Sequence, residues 1–257
     1  MAKGEYIASL DGDDWYDDKF FEKVLEIIKT YSPDVIRYYW RNVYENKSID
    51  KHEGLRCGFY TKKDIERDIF PILIEDKNSQ YYDTSIVDAV MKRELYVPAQ
   101  LNVSDDIDIG EDAACTKPII YRANSMYVMN DILYNYRINT SSMTKGHKPF
   151  NLYYPMRMGK SLEQSIDAEK FDFQAQIYRY VVHNLFNACS SQFYYDKPYN
   201  EIINDIKTTL DEPYYRKAIK NCKFNRKNYR GKLSLLALKC KCYFLMKLYC
   251  KSKLKSW

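Results

Sequence analysis

The sequence predicts an α/β protein with a mainly helical extension, and three observations carry that reading. Short apolar runs alternate with helix-period segments over the first part of the chain. The run Tyr6-Ile7-Ala8-Ser9-Leu10 ends in the acidic turn Asp11-Gly12-Asp13-Asp14-Trp15, as expected of a buried strand that delivers carboxylates to a sheet edge. Beyond Pro149 only helical spacing remains. The division falls at 148/149, giving an α/β part over 1–148 and a helical part over 149–257.

Taken in order, Asp17 or Asp18 can open a helix whose apolar positions Phe20, Phe21, Val24, Leu25, Ile28 and Tyr31 recur at three- and four-residue intervals. Ser32-Pro33-Asp34 ends it, and Val35 to Trp40 reads as the next strand. A polar stretch from Asn46 to Arg56 suggests a hairpin or loop, and Thr61-Lys62-Lys63-Asp64 a capping box that opens a short helix before Pro71. Ser85–Leu95 has helical spacing, with Ile86, Val87, Val90 and Met91 inward. An irregular segment from Ser104 leads through Gly110-Glu111-Asp112 into a helix resuming at Ala113, and Ser125–Met129 and Leu133–Arg137 are the last strand-like runs. Helical segments are expected near 153–167, 172–193, 199–210 and 231–253.

The composition, 46% hydrophobic and 29% charged over 257 residues, is that of a globular chain able to bury a good core. The N-terminus lacks a basic stretch followed by an apolar one, so no secretory signal is expected and the location is cytoplasmic. Seven scattered cysteines fit reduced thiols. The net charge of +5 conceals an asymmetry: residues 226–257 hold ten Lys or Arg and no acid, leaving the body at −5. An acidic body with no aromatic-interleaved basic surface argues against nucleic acid as a partner.

Three carboxylates within four residues repel one another, and a divalent cation between them offsets that cost most simply. Oxygen ligands favour Mg²⁺ or Mn²⁺ over zinc. Against this stands a solvated turn capping the following helix. An EF-hand reading fails because Trp15 and Tyr16 occupy the fifth-ligand and obligatory glycine positions. Glu111-Asp112 is a second acidic pair at a helix entrance, where acids also serve simply to complement the helix dipole.

In their order and spacing, Gly4-Glu5-Tyr6-Ile7, Asp11-Gly12-Asp13-Asp14-Trp15, Phe70-Pro71, Lys92-Arg93-Glu94-Leu95, Gly110-Glu111-Asp112, Tyr134-Asn135-Tyr136-Arg137 and Ser142-Met143-Thr144 resemble the family 2 glycosyltransferases of GT-A fold. Among these, the sequence resembles the bacterial enzymes of cell-surface polysaccharide and teichoic acid synthesis. The resemblance implies the C-terminal part of a Rossmann-like, mixed-sheet GT-A domain over 1–148, with the N-terminal nucleotide-binding strands of the family absent.

It further implies inverting, metal-dependent transfer of a sugar from a nucleotide-sugar donor, UDP-linked above all, to a polysaccharide or lipid-linked glycan. Asp13 would coordinate Mn²⁺ or Mg²⁺, with Asp11 on the metal or the ribose and Asp14 in support. Asp112 would act as general base, Glu111 orienting it or the acceptor. Arg137, Lys145 and His147 follow the last strands, where they either reach the diphosphate or, for His147, the metal, or are merely solvated; Arg93 is either substrate-facing or an exposed helix residue. Trp15, Tyr81 and Tyr82 would stack on sugar rings or serve as packing. A non-catalytic remnant, acting as an interaction or membrane-associated module, is the competing reading.

The tail adds a basic amphipathic helix over 231–257 with Leu235, Leu238, Cys242, Leu245 and Tyr249 on one face. It either lies peripherally on the anionic inner leaflet of the plasma membrane or docks on the body.

Overall fold

In the computed structural model, residues 2–52, 54–83, 85–138 and 148–254 are described. They fall into two compact units. The first takes in the described parts of Met1–Phe70, Asp83–Ser104 and Glu111–Lys145; the second, those of Pro71–Tyr82, Asp105–Gly110 and Gly146–Trp257.

The first unit is a seven-stranded mixed sheet with helices. Its strands are β1 (Tyr6–Ala8), β2 (Trp15–Tyr16), β3 (Val35–Val43), β4 (Ser48–Lys51), β5 (Gly58–Thr61), β6 (Ala89–Lys92) and β7 (Ser125–Arg137). The path runs β1-β6-β3-β7-β2, with β4 on β3 and β5 on β7. β3 and β7 are parallel, and every other pair is antiparallel. The helices are α1 (Phe20–Tyr31), α2 (Lys62–Asp68), α3 (Arg93–Leu101) and α4 (Glu111–Arg122).

Helix α1 buries Phe20 and Val24 against Ile36, Tyr38, Val90 and Leu133 of the sheet. It stops at Ser32, whose φ of 44° lies in the left-handed region, and Ser32 N–H donates to the Ile28 carbonyl. Helix α2 starts in the expected capping box: Thr61 Oγ1 accepts from Asp64 N–H, and Asp64 Oδ2 accepts from Thr61 N–H at 3.0 Å.

Three expectations are corrected here. Ser85–Leu95 is not one helix: Ala89–Lys92 is the buried strand β6, flanked by β1 and β3, and α3 begins only at Arg93. A short apolar run buried on both faces satisfies either period. Helix α4 starts at Glu111, which places both acids of the pair in its first turn. The two last strand-like runs are one strand, β7, continuous through Asn130 and Asp131; Asp131 ion-pairs with Lys23.

The second unit is helical: α5 (Tyr154–Ser165), α6 (Phe173–Ser191), α7 (Tyr199–Leu210), α8 (Pro213–Asn221), α9 (Tyr229–Lys239) and α10 (Tyr243–Leu254). Helices α5, α8, α9 and α10 pack on α6, which buries Phe173, Ile177, Val181 and Leu185. Gly159 lets α5 approach closely, since a Cβ there would lie 2.7 Å from Val181 Cγ2. The 71–82 excursion is tied in by Gln176, whose side-chain carbonyl accepts from Ile74 N–H, and by Arg179, whose Nε donates to the Glu75 carbonyl.

The tail expected as a single helix is two helices. They are separated at Cys240–Cys242, where Lys241 adopts a φ of 48°. Of the apolar series expected on one face only Leu238 is buried, and on α10 Met246 and Cys250 take that place. No described helix is long and apolar enough to cross a membrane.

Candidate functional site

The acidic turn is suspended from β7. Asp14 N–H donates to the Asp11 carbonyl at 3.2 Å and closes the turn. The buried Asp14 carboxylate accepts from the Tyr134 hydroxyl and from the Arg137 backbone N–H, both at 2.7 Å. Arg137 Nε donates to the Asp13 carbonyl at 2.9 Å, and its guanidinium lies 5.0 Å from the Trp15 ring centroid. Asp11 N–H points at the Tyr134 hydroxyl at 3.4 Å.

Asp14 is therefore a structural anchor of the turn, and Asp11 and Asp13 are its exposed carboxylates. Partial burial raises the Asp11 carboxyl above the ordinary range, and the charges of Asp14 and Asp13 add to that.

Beside Asp11 opens a cavity of about 710 Å³ whose lining belongs entirely to the first unit. Its wall comes from two parallel neighbours: β3 supplies Trp40 and Asn42, β7 supplies Tyr134 and Tyr136. The register sets Trp40 beside Tyr134 and Asn42 beside Tyr136, so the four form one patch. Tyr96 and Gln100, one turn apart on α3, line it, as do Ser9 and the Ser85–Asp88 segment. That segment is held by Arg37, which is buried, ion-paired with Asp88 at 2.7 Å, and donates to the Ser85 carbonyl at 3.1 Å.

Glu111 and Asp112 reach the same cavity from the first turn of α4. Burial is the first cause that pushes the Asp112 carboxyl up to about 6, followed by the charges of Glu111 and Asp11. A backbone hydrogen bond from Ile86 acts in the opposite sense. A carboxylate with that affinity for a proton, facing a cavity, can accept one near neutral pH.

The predicted residues thus divide. Asp11, Glu111 and Asp112 line the cavity; Asp13, Asp14 and Arg137 form and brace the turn beside it. Arg93 is outside the lining, exposed at the first residue of α3, with its N–H donating to the Glu5 carbonyl. Lys145, His147 and Ser142-Met143-Thr144 lie outside the described residues. Tyr82 is buried in the second unit and serves as packing, whereas Tyr81 is exposed. Trp40, Asn42, Tyr96 and Gln100 are lining residues that the sequence did not single out, and Tyr134 and Tyr136 entered only as part of a motif, with no place in the wall. The alternation Trp40/Asn42 and Tyr134/Tyr136 was visible, but the pairing of the two strands was not.

Among the described residues, no group of three or more His, Cys, Asp or Glu side chains is arranged to hold a metal ion. Asp11 and Asp13 do suit a hard cation of the kind that binds through one or two carboxylates and completes its shell with water and substrate phosphates.

Residues 1–94 match the family model "Glycosyl transferase family 2". The matched part, residues 1–94, is that of a family 2 glycosyltransferase. The chain is 24% identical over 279 residues to the "Uncharacterized glycosyltransferase EpsJ" of Bacillus subtilis (strain 168), covering 96% of this chain and 73% of that protein. Its fold is shared with crystal structures of S. aureus TarS 1-349. The complex with UDP-GlcNAc superposes with a TM-score of 0.56 at 12% identity, over 99% of this glycosyltransferase and 69% of that chain. The complex with UDP gives 0.55 at 11% identity, over 100% and 68%. The family match contains the acidic turn, whereas Glu111, Asp112 and Arg137 lie beyond it.

Proposed function

We propose that this glycosyltransferase moves a sugar from a nucleotide-sugar donor to a cell-surface polysaccharide or lipid-linked glycan, with inversion at the anomeric carbon. The observation that carries the proposal is the meeting of Asp11 and the proton-accepting Asp112 in one cavity with an aromatic and amide wall. A UDP-linked donor is the reading supported by the complexes of the structurally similar TarS with UDP-GlcNAc and UDP.

In this reading the acceptor hydroxyl lies at Asp112. Its oxygen attacks the anomeric carbon, the bond to the β-phosphate oxygen breaks, the proton passes to Asp112 and the nucleoside diphosphate leaves. Glu111 keeps the Asp112 carboxyl basic by its charge, and the aromatic wall excludes water and packs against sugar faces. Asp13 and Asp11 would hold Mn²⁺ or Mg²⁺, which when bound neutralises charge on the departing diphosphate. Arg137, besides bracing the turn, offers a cation at its edge.

The test is radiolabelled transfer from UDP-GlcNAc with Mn²⁺, alongside the Asp13→Asn variant. Loss of metal-dependent transfer in a variant that melts like the parent supports the assignment, and unchanged turnover overturns the role of Asp13. Calorimetric titration with UDP-GlcNAc and Mn²⁺ separates this from a non-catalytic module, for which no heat is expected. Proton NMR of the fresh product reads the anomeric configuration.

A further inference from the structure

The two C-terminal helices carry apolar side chains on the side that packing leaves open. On α9, Tyr229 is 76% exposed, Leu233 51% and Leu236 54%. At the helical repeat these three fall within an arc of about 60°. Leu238 and Gly231 are buried on the opposite side, and Ala237, also buried, borders the stripe next to Leu233. On α10, Phe244 is 65% exposed and Leu248 45%, one turn apart, while Met246 and Cys250 are buried on the opposite side. Each helix is therefore apolar on two faces, and only one of them is used in the second unit.

The charge beside these stripes is of one sign. Arg230 flanks the α9 stripe on one side, Lys232 and Lys239 flank it on the other, and Lys251 follows the α10 stripe; all four are exposed. No Asp or Glu occurs from 226 to the end of the sequence. Helix α1 provides the contrast, because its exposed Phe21, Leu25 and Tyr31 are interleaved with Glu22 and Glu26. Asp211 pairs with Lys241, between the two helices, at 2.9 Å; the charge of α9 and α10 themselves is all basic, and a face that is apolar and basic complements one that is apolar and anionic.

We propose that α9 and α10 lie in the interface of an anionic phospholipid bilayer, with Tyr229, Leu233, Leu236, Phe244 and Leu248 entering the headgroup-acyl boundary and the flanking bases on the lipid phosphates. This sharpens the expected tail contact in two ways. The membrane face is not the series Leu235, Leu238, Cys242, Leu245 and Tyr249, and it is borne by two short helices. It gives the sugar-transfer reading its setting, an acceptor held at a membrane, yet its own test does not depend on transfer.

The test is sedimentation of the full chain with vesicles of phosphatidylcholine alone or mixed with phosphatidylglycerol. Binding is expected only with the anionic lipid and is expected to fall as salt rises. Lys232→Gln with Lys239→Gln should weaken partitioning about 25-fold, since each base near such a surface is worth a factor of about five. Phe244→Ser with Leu248→Ser, and separately Leu233→Ser with Leu236→Ser, should each weaken it about tenfold. All these positions are exposed, so circular dichroism should show the helices intact.

Equal binding to both vesicle types, no binding, or apolar variants that bind like the parent would overturn the proposal. So would sedimentation equilibrium showing a lipid-free dimer that Phe244→Ser with Leu248→Ser dissociates, because the face would then belong to a second copy. Asp112→Asn should bind vesicles like the parent, which keeps a failure of the catalytic reading apart from a failure of this one.

Discussion

Asp112→Asn should make this protein more stable while removing transfer, and the gain should depend on pH in a direction fixed by the site. The Asp112 carboxyl is held at about 6 against an ordinary 3.8. Between those values the native state binds more protons than the unfolded chain, so stability falls as pH rises through that window and stays lower above it. Moving a carboxyl from 3.8 to about 6 corresponds to about 3 kcal/mol. Asp112 is only half-buried, and solvent screening leaves ~1–2 kcal/mol of that.

Asparagine has no charge to desolvate. At pH 7.5 the variant should therefore unfold at higher urea by an amount equivalent to ~1–2 kcal/mol. Below pH 3.8 the two proteins should converge. The other carboxylates titrate in both proteins and cancel in the difference. Urea melts followed by circular dichroism at several pH values read this directly. A difference that is constant with pH, or an asparagine variant that is the less stable at pH 7.5, would refute the account of the site as a strained, proton-seeking carboxylate. Transfer should meanwhile drop by about 10²–10⁴-fold.

Three further outcomes are expected. Glu111→Gln removes one of the charges that raise Asp112, so the acid limb of the kcat/KM profile should shift to lower pH; a limb that stays or moves up contradicts the coupling. Asp88→Ala leaves the guanidinium of buried Arg37 without its carboxylate and should cost about 3–5 kcal/mol in a urea melt. Adding Arg37→Met should recover much of that loss, and a loss under 1 kcal/mol in the single variant would show the pair to be marginal. Tyr134→Phe removes the hydroxyl that donates to the buried Asp14 carboxylate alongside the Arg137 N–H. It should destabilise by about 1–3 kcal/mol and lower transfer together with it, whereas intact transfer would show that the acidic turn holds its shape without that bond.

What could be read from the sequence was what short-range chemistry encodes. The strand into the acidic turn, the α1 stripe and the Thr61–Asp64 box each carry their signal within a dozen residues. Misreadings arose where local signals were ambiguous. Val90 and Met91 satisfy a helix as well as a strand enclosed on both sides. Asn130 and Asp131 look like a break in β7 until the ion pair to Lys23 is seen. No Gly or Pro marks the separation of α9 from α10, since the chain turns there on Lys241 in the left-handed region. The cavity wall was hidden for another reason. It exists only because Trp40 and Asn42 meet Tyr134 and Tyr136 across a parallel pairing of distant segments, and no window of sequence holds both.

The hydroxyl of Tyr134 joins two tasks that an engineer would wish to separate. Its ring lines the cavity while its oxygen holds Asp14 and meets the Asp11 N–H. Tyr136, its neighbour two residues on, lines the same cavity. In the proposed reading, acceptor preference should accordingly be open to redesign at Tyr136, Gln100 and Trp40, whose indole N–H donates to Asn42 Oδ1 within the wall itself. At Tyr134 any change of the wall is also a change of the acidic turn, so this position should be the last to vary in a library selected for activity.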